Sequence, residues 1–297
     1  MAELKKYLHH FGYLKVVVEE QDMMNFTDIF DENFEQALNN YQEKLGIPIT
    51  GKLDIETISQ IMSPRCGVKE TSKFLHGTRH YAYFPDRPRW DRSIPITLTY
   101  AFSPVYIINS LRLEDIRGAF ERAFGHWASV IPMTFLETND YDFADIKIGF
   151  YTGEHGDYEP FDGVLGILAH SFLPESGRFH LDAAETWAVD FEVEKSKVAI
   201  DLESVATHEI GHLLGLAHTN DKEAVMYPSL KPRQKKVDLN IDDIRGIQAL
   251  YGSNPNFKSP DILESDRFSS DVVDARKSLL STWSVFILLG LLQLLCL

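Results

Sequence analysis

The chain has 297 residues, 44% hydrophobic and 25% charged, with a formal net charge of −15. That length allows one or two domains with a sizeable core, and the composition is ordinary for a soluble globular protein. The acidic balance, with no basic block to offset it, argues against a nucleic-acid partner, and the two distant cysteines, Cys66 and Cys296, build no disulfide framework.

Three short segments with helical apolar spacing open the chain: Leu4, Leu8, Phe11 and Leu14; then Phe34, Leu38, Tyr41 and Leu45; then Leu53, Ile58 and Ile61. Thr50-Gly51 separates the last two, and Asp54 is placed to cap the third. Three such helices make a bundle of about 65 residues, close to the lower limit for an independent core. Pro64-Arg65-Cys66-Gly67-Val68 follows directly. A lone cysteine is most often a small buried hydrophobe, but its thiolate is also a strong zinc ligand.

Beyond about residue 75 strands mix with helices. Ile96 to Ala101 and Ile146 to Phe150 alternate as strands do. Leu113 to Val130 reads as a long amphipathic helix with Ile116, Ala119, Phe120, Ala123, Phe124 and Trp127 on one side. His126 on that helix has no partner nearby in sequence and is read as structural. A helix over about Leu202 to Leu214 and a last one over Ile241 to Tyr251, closed by Gly252, complete the pattern.

The helix from Leu202 carries His208-Glu209-Ile210-Gly211-His212-Leu213-Leu214-Gly215-Leu216-Ala217-His218. Residues four apart on a helix lie within about 40° of one face, so His208 and His212 can address one ion, with Glu209 beside them to hold a water. A straight helix cannot bring His218 to that ion. Gly215 supplies the break, because glycine enters the left-handed region at little cost. Three histidines leave a tetrahedral zinc one open position, the mark of a catalytic site. Glu209 is the expected general base, and Met226-Tyr227-Pro228 follows at a distance suited to a turn beneath the metal.

The long motif with its Met226 turn matches the metzincin signature, and the segment around Cys66 resembles the cysteine switch of matrixin zymogens. The resemblance to matrix metalloproteinases covers nearly all of residues 1–253 and implies an α+β fold. It comprises a small three-helix, peptidoglycan-binding-like pro-domain (1–74) before a catalytic domain (75–253) with a twisted, mixed five-stranded sheet and three helices. By the same resemblance Cys66 ligates the catalytic zinc in a latent form. His155, Asp157, His170 and His180 hold a structural zinc. Asp162, Asp182 and Glu185, with main-chain oxygens of Gly163, Leu165 and Ile167, form a calcium cage. All six histidines between 155 and 218 then carry a ligand role. Asp145 is the remaining carboxylate of a second calcium site, whose Gly-Gly-Asp run this chain lacks. The switch also departs from the usual pattern, with Lys69-Glu70 where Pro-Asp is common. The short loop before His180 resembles plant matrixins. Ser204, small and one turn before His208, suggests a deep hydrophobic pocket for the residue after the cleaved bond.

The implied function is a zinc endopeptidase, monomeric, acting on extracellular or cell-surface proteins. The rival reading is a catalytically silent zinc protein that binds cell-wall glycans through its N-terminal bundle. A linker (254–278) precedes an apolar tail (279–297), and Ser269 and Ser270 sit a spacer's length upstream of it. This suggests a GPI-attachment signal, with a retained C-terminal membrane helix as the alternative. No apolar signal core precedes Met1, so the resemblance implies a leader missing from the N-terminus, with the mature protein at the outer face of the plasma membrane or in the cell wall. Asn25-Phe26-Thr27 is a glycosylation sequon in the same direction.

Overall fold

Apolar periodicity and local caps account for most of the elements. The computed structural model describes residues 1–15, 26–70, 75–76 and 81–258. Asn25, Ser269, Ser270, most of the linker and the apolar tail lie outside the described residues. Helices α1 (Ala2–His10), α2 (Glu32–Lys44) and α3 (Ile55–Ile61) come first. The short strands β1 (Arg65–Cys66), β2 (Leu75–His76) and β3 (Ala82–Tyr83) follow. Next come β4 (Ile96–Phe102), α4 (Leu113–Val130), β5 (Met133–Glu137), β6 (Ile146–Tyr151), β7 (Ile167–Ser171) and β8 (Arg178–Asp182). The chain continues through β9 (Trp187–Ala188), β10 (Ile200–Asp201), α5 (Leu202–Leu213) and α6 (Ile241–Tyr251). Among the described residues no helix is long and apolar enough to cross a membrane.

In the bundle, Asp31 caps α2 by accepting from Phe34 N, and Phe34, Leu38, Tyr41 and Leu45 are fully buried. Each such side chain contributes about 1.5–3 kcal/mol. The third segment keeps part of its expected apolar stripe: Leu53 and Ile61 pack on the bundle core, while Ile58 does not. Asp54 caps α3 as expected, but Ile55 and Ile58 are 89% and 47% exposed, and the buried residue is Thr57. Polar contacts hold this helix: the buried amide of Gln42 donates to Thr57 Oγ1 (2.8 Å) and accepts from Thr50 N and Gly51 N. A seven-residue helix has too little surface to anchor itself by burial, and one satisfied glutamine fixes it instead.

The main sheet runs β1-β7-β8-β6-β4-β5. The five catalytic strands are mixed as expected: β5, β4, β6 and β8 pair in parallel, while β7 runs antiparallel to β8. A sixth strand, β1, comes from the segment just after the bundle and adds in parallel to the edge of β7. The bundle's core also continues into the catalytic part, because Phe161 and Ile167 belong to the same buried cluster as Leu8, Phe11 and Phe34. Residues Met1–Pro255 thus form one compact unit.

Behind the sheet, α4 buries the expected residues, with Phe120 and Phe124 meeting Phe179, Tyr100 and Phe135 ring to ring. Its Trp127 donates to Thr207 O on α5 at 2.8 Å. All twelve residues of α5 are buried, so its polar groups need internal partners. Glu203 has three: Arg122 Nε (2.8 Å), His126 Nε2 (3.1 Å) and Lys235 Nζ (3.0 Å). His126 is therefore structural, as read. Burial alone would raise the Glu203 carboxyl, but hydrogen bonds from His126, Arg122 and Lys235 outweigh it and hold the pKa at about 2.

The sign follows from linkage. The native carboxylate is favoured over the unfolded one, so its contribution is full above about pH 4.5 and disappears as pH falls through about 2. Replacing Glu203 by Gln is expected to lower stability near neutral pH by about 1–2 kcal/mol, a range set by the half-exposed Arg122 and Lys235. In thermal unfolding, the gap between native and Glu203→Gln chains is expected to close toward pH 2.

Candidate metal centres

Helix α5 begins at Asp201, whose carboxylate accepts from Ser204 N at 2.8 Å. One turn separates His208 from His212, and both rings fall on the face toward β1. Gly215 then takes φ 101°, a left-handed value, and packs so closely on Pro88 O that a Cβ has no room. That turn returns His218 to within 3.1 Å of His212, Nε2 to Nε2. Cys66 Sγ lies 3.5 Å from His212 Nε2, and the ligand atoms of Cys66, His208, His212 and His218 all fall within 4.8 Å of one another.

Each imidazole is fixed from outside. His208 Nδ1 donates to Val225 O and His212 Nδ1 to Leu216 O, both at 2.7 Å; His218 Nδ1 lies 2.7 Å from Glu70 Oε1. A carbonyl can only accept, so the first two rings carry their proton on Nδ1 and present the Nε2 lone pair inward. Burial, reinforced at His208 and His212 by the neighbouring rings, pushes all three pKa values well down, so the rings are neutral. His208 Nε2 is buried with no hydrogen-bond partner. Three inward lone pairs and a buried thiol suit a tetrahedral zinc with N and S ligands.

The segment that carries Cys66 is held from both sides. Arg65 N donates to Gly166 O and Gly67 N to Ala169 O on one side, while Cys66 N donates to Pro228 O on the other. Gly67 sits so close to β7 that a Cβ there would meet Ile167 Cγ2 at 2.7 Å. Arg65 is buried, its guanidinium 3.9 Å above the Phe11 ring and 3.5 Å from Glu70 Oε1. The departure at Lys69-Glu70 therefore keeps a carboxylate beside Arg65. Burial pushes the Cys66 thiol well up, and the Glu209 carboxylate pushes further in the same direction.

Glu209 is fully buried. Ser171 Oγ donates to its Oε2 at 2.6 Å, while Oε1 is buried without a partner. Burial raises this carboxyl to about 7, with the neighbouring Cys66 and Ser171 pulling it the other way. Met226 packs its sulfur on Gly211, leaving no room there for a Cβ. The Met226 turn is held by Asp243, which accepts from Val225 N (2.8 Å) and Met226 N (3.0 Å). Sequence reading missed Asp243 and Ser171. Only the capping-box spacing of Asn240 and Asp243 marked the former, and nothing marked the latter.

A second cluster forms across β7 and β8, whose register sets His170 directly opposite His180. His155 Nε2, His170 Nε2 and His180 Nδ1 lie 2.9, 2.8 and 2.8 Å from Asp157 Oδ2. Burial lowers His170, and burial with the neighbouring His170 ring lowers His180 to about 4. Asp162 lies in the loop before β7, where positive φ at Gly163 and Leu165 curls the main chain, while Asp182 ends β8 and Glu185 follows it. These carboxylates accept from Ile167 N, Gly163 N and Leu165 N, and Glu185 Oε2 is buried without a partner. They are not gathered as closely as the two histidine groups, which alone among the described residues converge within 4.8 Å.

Two expected residues serve other purposes. Asp145 accepts from Arg92 (2.6 Å) and from Thr99 N and Oγ1, and among the described residues it belongs to neither group of converging His, Cys, Asp or Glu side chains. Ser204 donates to Asp201 and accepts from Lys236 N, so the pocket it lines with Leu168, Val205, Val225 and Tyr227 also includes Lys236 and is not purely hydrophobic.

Residues 89–252 match the matrixin family, and residues 1–61 match the putative peptidoglycan binding domain. Metalloendoproteinase 4-MMP of Arabidopsis thaliana is 56% identical over 281 residues, spanning 93% of this chain and 79% of that protein. Metalloendoproteinase 1-MMP of the same plant is 53% identical over 272 residues, 90% of this chain and 72% of that protein. Matrix metalloproteinase-20 of Homo sapiens is 39% identical over 226 residues, 75% of this chain and 43% of that protein.

The contact between Gly211 and the Met226 turn sets two effects against each other. Alanine in a helix interior is favoured over glycine by about 1 kcal/mol, whereas overpacking a filled core costs about 1–3 kcal/mol. Besides the Met226 sulfur, a Cβ at Gly211 would meet the Trp127 ring at 3.0 Å. Overpacking should win, so Gly211→Ala is expected to lower the thermal midpoint; a raised midpoint would show that the turn yields.

Proposed function

The chain belongs to the matrixin family and is a zinc metalloendopeptidase of the plant matrix metalloproteinase type; within that family we propose that it is a latent precursor whose Cys66 holds the catalytic metal until the pro-segment is released. The carrying observation is the convergence of Cys66 with His208, His212 and His218 in a buried site. In this reading residues 1–74 are the pro-domain and 75–253 the catalytic domain.

Bound by the three histidines, zinc polarises the scissile carbonyl and lowers the pKa of a water toward about 7. Glu209 is the general base. Its Oε1 accepts the proton of the attacking water as the new C–O bond forms, then gives it to the leaving amine as the C–N bond breaks. Substrate takes the edge of β7 that β1 now fills, gaining the main-chain hydrogen bonds of an added strand. The residue after the cleaved bond enters the pocket walled by Ser204 and Val205.

The proposal assigns His155, Asp157, His170 and His180 to a structural zinc, which their three imidazoles and one carboxylate would hold. It assigns Asp162, Asp182, Glu185 and the carbonyls of Gly163, Leu165 and Ile167 to one calcium, supported by the buried, unpartnered Glu185 Oε2. Location outside the cell is proposed from the kinship with matrix metalloproteinases, and a GPI or helical attachment from the apolar tail. The match of residues 1–61 to a putative peptidoglycan binding domain supports glycan binding by the bundle as a second reading.

Treatment of the purified chain with a thiol-reactive mercurial is expected to release peptidase activity that a metal chelator abolishes. A chain that stays silent would favour the glycan-binding reading. Cys66→Ser should be active without the mercurial, because a hydroxyl is a weak zinc ligand beside a thiolate. Glu209→Ala should keep its zinc, counted by elemental analysis, while losing at least about a hundredfold in kcat.

A further inference from the structure

Glu209 has two carboxylate oxygens, and catalysis as proposed above uses one of them. The torsion that turns a carboxylate about its Cγ–Cδ bond is broad and roughly two-fold, so a free Glu does not hold either oxygen in place. The surroundings of Glu209 are not symmetric. Oε2 receives the hydroxyl of Ser171 at 2.6 Å, a short charge-assisted bond, while Oε1 is buried with no partner. Ser171 itself is buried, ends β7, and is aligned by that strand's register with Phe179. Its Oγ also lies 3.0 Å from the main-chain oxygen of Glu209. With a single proton to give, the hydroxyl bonds the Glu209 carboxylate at the shorter distance and only neighbours the main-chain oxygen.

We propose that Ser171 is the positioning residue of the catalytic base: it pins Oε2 so that Oε1 is the oxygen that exchanges protons with water and leaving amine. The inference rests on the reading of Glu209 as base. Ser171 keeps its own proton throughout. The proton from water goes to Oε1 as C–O forms and leaves from Oε1 to the amine nitrogen as C–N breaks, so nothing accumulates on the serine. Positioning of this kind changes kcat and leaves substrate binding alone, since the substrate does not touch Oε2.

The test uses the full chain, zinc-loaded and mercurial-activated, with zinc content and thermal midpoint checked for every variant. Ser171→Ala should reduce kcat by about tenfold or more with KM within about twofold, and Ser171→Thr, which keeps the hydroxyl, should recover most of the loss. A second readout is calorimetric binding of a peptidyl hydroxamate, whose proton is handed to Glu209. Ser171→Ala should weaken that binding about fivefold in the native background and leave it unchanged in Glu209→Gln, because both changes act through one carboxylate. An unchanged kcat in Ser171→Ala, or equal weakening in both backgrounds, overturns the proposal and leaves the base reading intact. A wild-type kcat in Glu209→Gln would instead remove the base reading itself.

Discussion

Three imidazoles can share one cation only if all are neutral, all aim a lone pair at the same point, and none can rotate away. Everything around α5 meets that requirement. Burial keeps the rings neutral, and each needs a fixed partner on its outer nitrogen to settle the tautomer. Val225 in the Met226 turn serves His208, Leu216 just past the Gly215 bend serves His212, and Glu70 serves His218. The Met226 turn is thus not an ornament beneath the site. It carries the acceptor for one ligand, and Asp243 on α6 holds its amides.

The third partner has a different origin. Glu70 lies just after β1, so this segment brings both a thiol toward the three histidines and a carboxylate behind one of them. Arg65 ties that carboxylate to the aromatic wall of Phe11, and the bundle's core runs on into the catalytic part through Phe161 and Ile167. This N-terminal segment is therefore built into the fold as an added strand and a shared core. Parallel pairing on β7 makes β1 one edge of the main sheet. Covering β7 and bringing Cys66 to the histidines are two consequences of the same pairing.

The chain's sequence made much of this legible, for identifiable reasons. Ligand identity is local: His208, His212, Gly215 and His218 lie within one helix and its exit, where periodicity of 3.6 and a left-handed glycine specify geometry without reference to anything distant. The long helices were equally plain, because α4 and α6 carry apolar faces or caps that neighbours in sequence define. The five catalytic strands and the helix count were legible too, through resemblance. Of the expected stripe on the third segment, Leu53 and Ile61 pack on the bundle core and Ile58 stays exposed, where Gln42 ties the short helix instead.

What the tertiary structure alone decided is which polar groups meet. Cys66 and His212 are 146 residues apart, His218 and Glu70 148, and Ser171 and Glu209 38. No period links such positions, and a serine at the end of a strand looks like any other strand residue. Asp145 showed the converse: a carboxylate read as a metal ligand pairs with Arg92 once the sheet is assembled. By itself the sequence determined the donor atoms and the reaction class, because short-range backbone geometry places them. The fold determined the partners that hold those donors neutral, aimed and covered, because hydrogen bonds between distant segments exist only after the chain has closed on itself.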